Sequence, residues 1–306
     1  MTSNSLPNAF SLLSDLLKID SPSGDEWCMS EFLRDFIKNN IPSANIFRVG
    51  QSLVAVRGTP KVALFAHIDT TGFTLGRNGA LIPIGSPHPR AVDRLQIVGN
   101  PERVFEMNVE SRRKTTLKEY DGAIPGERLV YAHRLVVDGP IVTTPYLDNR
   151  AGIWAAVTVL ERCSNVAVAF TSGEELSGFG ARVCARHLSE NWRISTALIC
   201  DITWDTDYVH IGKGPAISLR DSSVPNQRLV ERVVEMAARS QFAYQTEIES
   251  AGGSDGAHIE SGGHPIDWVF VGAPEKLPHS STEAMDLNDL ANMAELLRFL
   301  AENIVT

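Results

Sequence analysis

The sequence predicts an α/β fold, a mostly parallel sheet with helices on both faces, interrupted by a small inserted β-rich, barrel-like domain. Three observations lead there. After residue 148, apolar runs of strand length alternate with helix-period segments, the pattern of parallel strands joined by crossover helices. From residue 73 to about residue 140 the texture differs: short β-like runs, frequent Gly and Pro, a charged stretch at 110–114 and no amphipathic helix. The length of 306 residues suits one large domain carrying a smaller one. The expected organisation is a main domain made of 1–72 and 141–306, with the insert at 73–140.

Each element follows from local chemistry. Between residues 9 and 37, Phe10, Leu12, Leu13, Leu16 and Leu17, then Met29, Phe32, Leu33, Phe36 and Ile37, recur at helical spacing. Ser21-Pro22-Ser23-Gly24 separates them, giving helix, turn, helix. Extended runs at 52–56 and 62–66 flank the turn residues 57–60, so His67 falls at the carboxyl end of a strand. The alternation then predicts a helix at 151–162, a strand at 166–170, a helix at 180–188 and a strand at 196–200. A β pair near 209–219, a helix at 226–240, a strand at 268–271 and a closing helix at 287–304 complete it.

The formal charge of -9 argues against a general nucleic-acid partner or an anionic membrane, both of which attract basic surfaces. No apolar run is long enough to span a bilayer, and the first residues lack the basic start and apolar stretch of a secretion signal. The four cysteines are widely spaced without a CxxC and read as small buried thiols in a reducing compartment. A soluble, cytoplasmic protein is the expectation.

Chemistry concentrates at the ends of apolar runs: His67-Ile68-Asp69, Asp148-Asn149, Glu174-Glu175, Cys200-Asp201 and Pro278-His279. In an open α/β sheet, ligands bind beyond the carboxyl ends of the strands, and these segments converge on that rim. Two histidines and several carboxylates form the ligand inventory of a two-metal hydrolase. Each has a duller reading alone. His67 and Asp69 face the same side of an extended strand end, where the carboxylate can fix the imidazole tautomer. Asp148 could be a helix N-cap, or could bridge two cations. Glu174 and Glu175 could be an acidic first turn, or one ligand and one proton acceptor. Asp201 could be a strand-terminal turn residue, and His279 a loop histidine. His88, His133, His187, His210 and His264 read as background. His258 follows the glycine-rich Gly252-Gly253-Ser254-Asp255-Gly256, where Asp255 reads as a helix cap.

Taken together, Ala66-His67-Ile68-Asp69, Leu147 to Gly152, Ser172-Gly173-Glu174-Glu175, Cys200-Asp201, Gly252 to Gly256 and His279-Ser280 through Glu283 resemble the tetrahedral aminopeptidase family. This group contains glutamyl, lysyl and deblocking aminopeptidases and proteins once labelled cellulase M. The order of the motifs matches over nearly the whole chain. The resemblance implies a metallopeptidase catalytic domain at 1–72 and 141–306, with the insert serving oligomerisation or substrate access. It implies two divalent metal ions per subunit, best guessed as zinc with cobalt or manganese as alternatives. His67 and Asp201 would hold one ion, Glu175 and His279 the other, and Asp148 would bridge both. Glu174 would be the general base acting on a water shared by the ions, and Asp69 the carboxylate behind His67. Peptide substrates and homo-oligomers, commonly dodecamers, follow from the same likeness. The chain departs from the family in Thr70, where many members carry a glutamate, in Asn149, where a second aspartate is frequent, and in a short insert.

The leading expectation is thus hydrolysis of an N-terminal peptide bond. An N-acyl amino acid deacylase or dipeptidase would use the same site on another amide. Paired carboxylates also cleave sugars, but here they are better explained as metal ligands. A metal-stabilised scaffold has Glu174 as its main obstacle.

Overall fold

The computed structural model describes residues 2–3, 5–112 and 114–304. Met1, Asn4, Arg113, Val305 and Thr306, which include one residue of the charged stretch 110–114 and both ends of the expected main domain, lie outside the described residues. Within them a 12-stranded sheet forms the main body. Its centre is parallel: Asp267–Lys276, Thr196–Trp204, Ala63–His67 and Val166–Thr171 lie side by side in that order. The flanks are antiparallel, with Ser52–Arg57 and Ala44–Val49 on one side and Glu283–Asp286, Ile141–Thr144 and Val136–Asp138 on the other.

The central strands are apolar along their whole length because both faces are covered. Side chains alternate between two cores. Leu64, Ala66, Val168, Phe170 and Leu198 pack with Leu147–Arg162, Leu287–Asn303 and the amino-terminal helices, whereas Ala63, Phe65, Ala167, Ala169 and Ile199 pack against Phe179–Trp192 and Asp255–Ser261.

Gly72–Leu75, Ala80–Ile84, Arg94–Ile97, Asn100–Ser111, Lys114–Leu117 and Arg128–Tyr131 close into a separate barrel. Phe73, Leu75, Leu95, Met107, Leu129 and Tyr131 fill it. Val136–Asp138, inside the 73–140 span, pairs instead with the main sheet.

Several elements differ from the sequence reading. Thr196–Trp204 runs past residue 200, so Asp201 lies within a strand rather than at its end. The β pair expected near 209–219 is one strand, Ala216–Arg220, whose parallel partner is Gln245–Ile248. That partner is short and polar, and alternation alone does not mark it. Asp255 is not the cap of its helix: Ser254 is, accepting from the Gly256 N–H, while Asp255 is the first helical residue.

Helix Leu147–Arg162 begins irregularly. Asp148 and Asn149 have non-helical backbone angles and are joined by a cis peptide bond. Asn149, not Asp148, serves the helix start: its Oδ1 accepts from Gly152 N–H at 2.9 Å, and its Nδ2 donates to the Cys200 carbonyl at 2.9 Å. An aspartate could not make the second bond, which accounts physically for the amide at 149. Asp148 is left free to point elsewhere. The helix presses so closely on Thr196–Trp204 that a Cβ at Gly152 would stand 2.2 Å from the Cys200 oxygen. Gly152→Ala should therefore destabilise the fold by about 1–3 kcal/mol, read as a lower urea midpoint. An unchanged midpoint would mean that this contact has room to give.

Candidate metal centre

Parallel pairing places the site. Thr171 pairs with His67 and Ile199 with Phe65, so the chain leaving Val166–Thr171 and the residue Asp201 both arrive beside His67. His67 Nε2 lies 3.0 Å from Asp148 Oδ1 and 3.6 Å from Asp201 Oδ1. The other Asp148 oxygen, Oδ2, is 3.1 Å from His279 Nε2, which is 3.4 Å from Glu175 Oε2. Asp148 thus stands between two imidazoles with one oxygen toward each. Two candidate ligand sets result, His67/Asp148/Asp201 and Asp148/Glu175/His279, with the atoms of each set within 4.8 Å of one another.

The expected residues His67, Asp148, Glu175, Asp201 and His279 are therefore brought together, and Glu174 lines the same cavity. Asp69, fully buried, organises them. Its Oδ1 accepts from Glu174 N–H at 3.0 Å, and its Oδ2 accepts from Glu175 N–H at 3.1 Å and from Ser23 Oγ at 2.6 Å. The nearest oxygen to His67 Nδ1 is the Asp69 backbone carbonyl at 3.2 Å, with carboxylate Oδ1 at 3.6 Å. A proton on Nδ1 leaves Nε2 unprotonated, as a ligand needs.

His279, in a loop with a left-handed φ of 60°, is held from the barrel side. Its Nδ1 lies 3.0 Å from the Ser86 carbonyl, and the His88 N–H donates to its backbone oxygen at 2.8 Å. Arg90 donates to Ser281 and Thr282 Oγ, and Ser281 Oγ to Asp93 at 2.6 Å. The segment before strand Arg94–Ile97 therefore clamps the ligand loop, and His88, set aside as background, lines the cavity.

Two buried carboxylates were given no role by the sequence, although Glu283 ends one of the motif segments. Glu283 Oε2 accepts from the Asp148 N–H at 3.1 Å, and neighbouring Glu275 is fully buried with neither carboxylate oxygen hydrogen-bonded. Glu275 lies near the end of a long apolar strand and Glu283 opens a four-residue one, and the pairing of these strands brings the two carboxylates together near Asp148. Asp255 accepts from Thr171 Oγ1.

Negative charge exceeds positive charge here. Burial, with neighbouring carboxylates, holds Glu174, Glu275 and Glu283 well above the usual carboxylate range. The same causes raise Glu175 to about 8 and Asp255 to about 7. Burial opposes charge on the histidines too, yet Asp201 and Asp148 hold His67 well above its ordinary value, and Glu175 and Asp148 raise His279 to about 10. Asp148, also penalised by burial, is kept below the carboxylate range by His279 and His67. Clustered carboxylates with imidazole nitrogens and oxygen donors fit divalent cations, and the buried Glu175 Oε1 has no hydrogen-bond partner, as a ligand oxygen would not.

This sheet, barrel and rim constellation define a peptidase of metal-dependent type, and comparison with known proteins agrees. Residues 93–296 match the M42 glutamyl aminopeptidase family, and the chain belongs to it. M42 peptidases are metallopeptidases, and the chain is an aminopeptidase of that family. A protein of Acetivibrio thermocellus named as a candidate aminopeptidase is 25% identical over 94% of this chain and 97% of its own length. The crystal structure of the TET aminopeptidase from a marine sediment Thaumarchaeota archaeon superposes with a TM-score of 0.85 at 20% identity, covering 97% of this chain and 98% of that one. The TET1 peptidase of Pyrococcus horikoshii, which can assemble into a tetrahedron or a large octahedral shell, gives 0.79 at 21% identity, covering 96% and 99%. No helix among the described residues is long and apolar enough to cross a membrane.

The charge arrangement predicts a pH response. Glu175 and His279 bind protons more tightly folded than at their ordinary values of 4.5 and 6.5. Their stabilising contribution is complete below those values and is lost as pH rises, through about 8 for Glu175 and about 10 for His279. The melting temperature of chelator-treated protein should fall between pH 6.5 and 10, and added divalent cation should restore it. A flat or rising profile in chelator would contradict this charge balance.

Proposed function

We propose that the protein is a dinuclear metal-dependent aminopeptidase that hydrolyses the N-terminal peptide bond of peptides. The observation that supports this most is the position of Asp148, with an oxygen 3.0 Å from His67 Nε2 and another 3.1 Å from His279 Nε2. His67 and Asp201 would hold one cation, Glu175 and His279 the second, and Asp148 both. Nitrogen and oxygen donors suit zinc, and also cobalt or manganese. The cations, when bound, supply Lewis acidity to the scissile carbonyl and make water a better acid at neutral pH.

The protein's own groups do the rest. Glu174, half-buried at the cavity wall, takes the proton of the attacking water and delivers it to the departing amine. Its raised proton affinity, set by burial and by the charges of Glu175 and Asp201, suits a group that must both accept and return a proton near neutral pH. Asp69 fixes the backbone of Glu174 and Glu175, so base and ligand keep their separation. Glu283, through the Asp148 N–H, fixes the shared carboxylate.

Since Val136–Asp138 belongs to the main sheet, we assign 1–71 and 132–306 to the catalytic domain and the barrel, 72–131, to an insert serving assembly or access. The clamp from the barrel side onto His279 supports an effect of the insert on the site itself. Homo-oligomers are proposed by analogy with the assembling relative.

The test is turnover of a peptide panel with free and acetylated N-termini, with zinc or cobalt and with chelator. Release of the first residue from free peptides only, lost on chelation, is the expected result; cleavage confined to acetylated peptides would overturn it. Glu174→Gln should lower kcat by about 10²-fold or more while metal content stays the same, and undiminished turnover would remove Glu174 from its role.

A further inference from the structure

We infer that the arm of the cavity beyond Asp201 receives the side chain of the substrate's first residue, and that Glu247, with Asp221, selects lysine or arginine there. This rests on the aminopeptidase reading. The cavity, about 1280 Å³, runs from the ligand histidines to Asp221 and Glu247.

The sheet builds this arm. Asp201 pairs with Gly272, and Gly272 with Ala216 on the next strand, so the face beside the ligand Asp201 holds no side chain and then a methyl group. Ser218, two residues from Ala216 and on the same face, pairs with Glu247. A trough therefore lies between Asp201 and Glu247. The Phe270 ring covers the space over Gly272, 2.6 Å from where a Cβ would stand, and so forms a wall of this trough.

Glu247 reaches back across this trough and accepts a hydrogen bond from Thr203 Oγ1. Thr203 is two residues beyond Asp201, about 7 Å along an extended strand, so the carboxylate sits one long side chain away from the candidate metal centre. The Phe270 ring and the side-chain-free backbone of Gly252 and Gly253 line the way. Methylene groups lie well against such walls while a charged head emerges at the end.

The cation nearest the end of the trough is exposed Arg220, whose Nε donates to the Asp221 backbone carbonyl at 3.1 Å and whose charge bears on Asp221. Glu247 and Asp221 are 7% and 5% exposed, and their partners are neutral: Thr203 for Glu247, the Ser223 N–H and Ser254 Oγ for Asp221. Among the described residues neither takes part in an ion pair. Ser218, 1% exposed, lies beside Glu247 on the paired strand. Burying carboxylates without countercharge is costly, and an ammonium or guanidinium head relieves it. The basic residues of the cavity wall do not serve: Lys276 is 3.5 Å from Asp205, and Arg112 is exposed on the barrel hairpin. An acidic first residue would meet the Glu247 carboxylate, which takes part in no ion pair among the described residues.

The experiment compares tripeptides X-Ala-Ala in which X is lysine, arginine, norleucine, leucine or glutamate, using full-length protein loaded with zinc. Lysine and norleucine differ at the charged head and match in their methylenes. We expect kcat/KM for lysine and arginine to exceed that for norleucine by about tenfold or more, with glutamate lowest. Glu247→Gln should shrink the lysine-to-norleucine ratio at least several-fold. Metal-dependent turnover that favours norleucine, leucine or glutamate would overturn this inference and leave the aminopeptidase reading standing. Absence of release from every peptide would overturn that reading as well. Should Glu247→Gln fail to fold, the wild-type ratio decides; a ratio unchanged in a folded variant counts against Glu247.

Discussion

The carboxylate of Asp148, held between two imidazoles, is the constraint on which the rest of the site depends. Around it lie Asp201, Glu275 and Glu283, all buried, and Glu174 and Glu175, half-buried at the cavity wall. Such a cluster is unfavourable unless positive charge joins it, because burial and mutual repulsion act in the same direction. With no cation bound, the raised proton affinity of His67 and His279 offsets part of it. Divalent cations would offset more, and two candidate donor sets share the Asp148 carboxylate.

The scaffold supplies that grouping through three separate devices. Parallel strands of unequal reach bring His67, the Glu174-Glu175 turn and Asp201 to one rim. An irregular helix start, closed by Asn149 rather than Asp148, releases the shared carboxylate toward them. A segment of the barrel side grips the His279 loop through Ser86, His88, Arg90 and Asp93. The last device makes the second ligand set depend on contacts between the barrel and the sheet. A disturbance of the barrel would be felt at His279 before it reached His67.

Much of this was legible in the chain because strands buried on both faces write themselves as unbroken apolar runs, and their ends are where polar groups emerge. His67 and Glu174-Glu175 stand out for that reason. Asp148 and His279 gained meaning only in combination, since each has an ordinary local role available. Other features left no local mark. Asp201 lies inside its strand because the neighbouring strand Asp267–Lys276 continues alongside it, a fact of pairing rather than of pattern. Glu275 and Glu283 belong to strands that read as apolar or too short, and their proximity is created by the antiparallel pairing of residues 275 and 285. The cap at Ser254 instead of Asp255, and the proximity of His88 to His279, likewise depend on packing at a distance.

The most direct test of the shared carboxylate is metal stoichiometry by equilibrium dialysis with elemental analysis, comparing wild-type protein with Asp148→Ala. A shared Asp148 carboxylate should give two tightly held divalent ions per wild-type chain, and loss of tight binding at both positions in the variant. Two ions retained by the variant with undiminished affinity, or a single ion in a fully active wild-type chain, would contradict it.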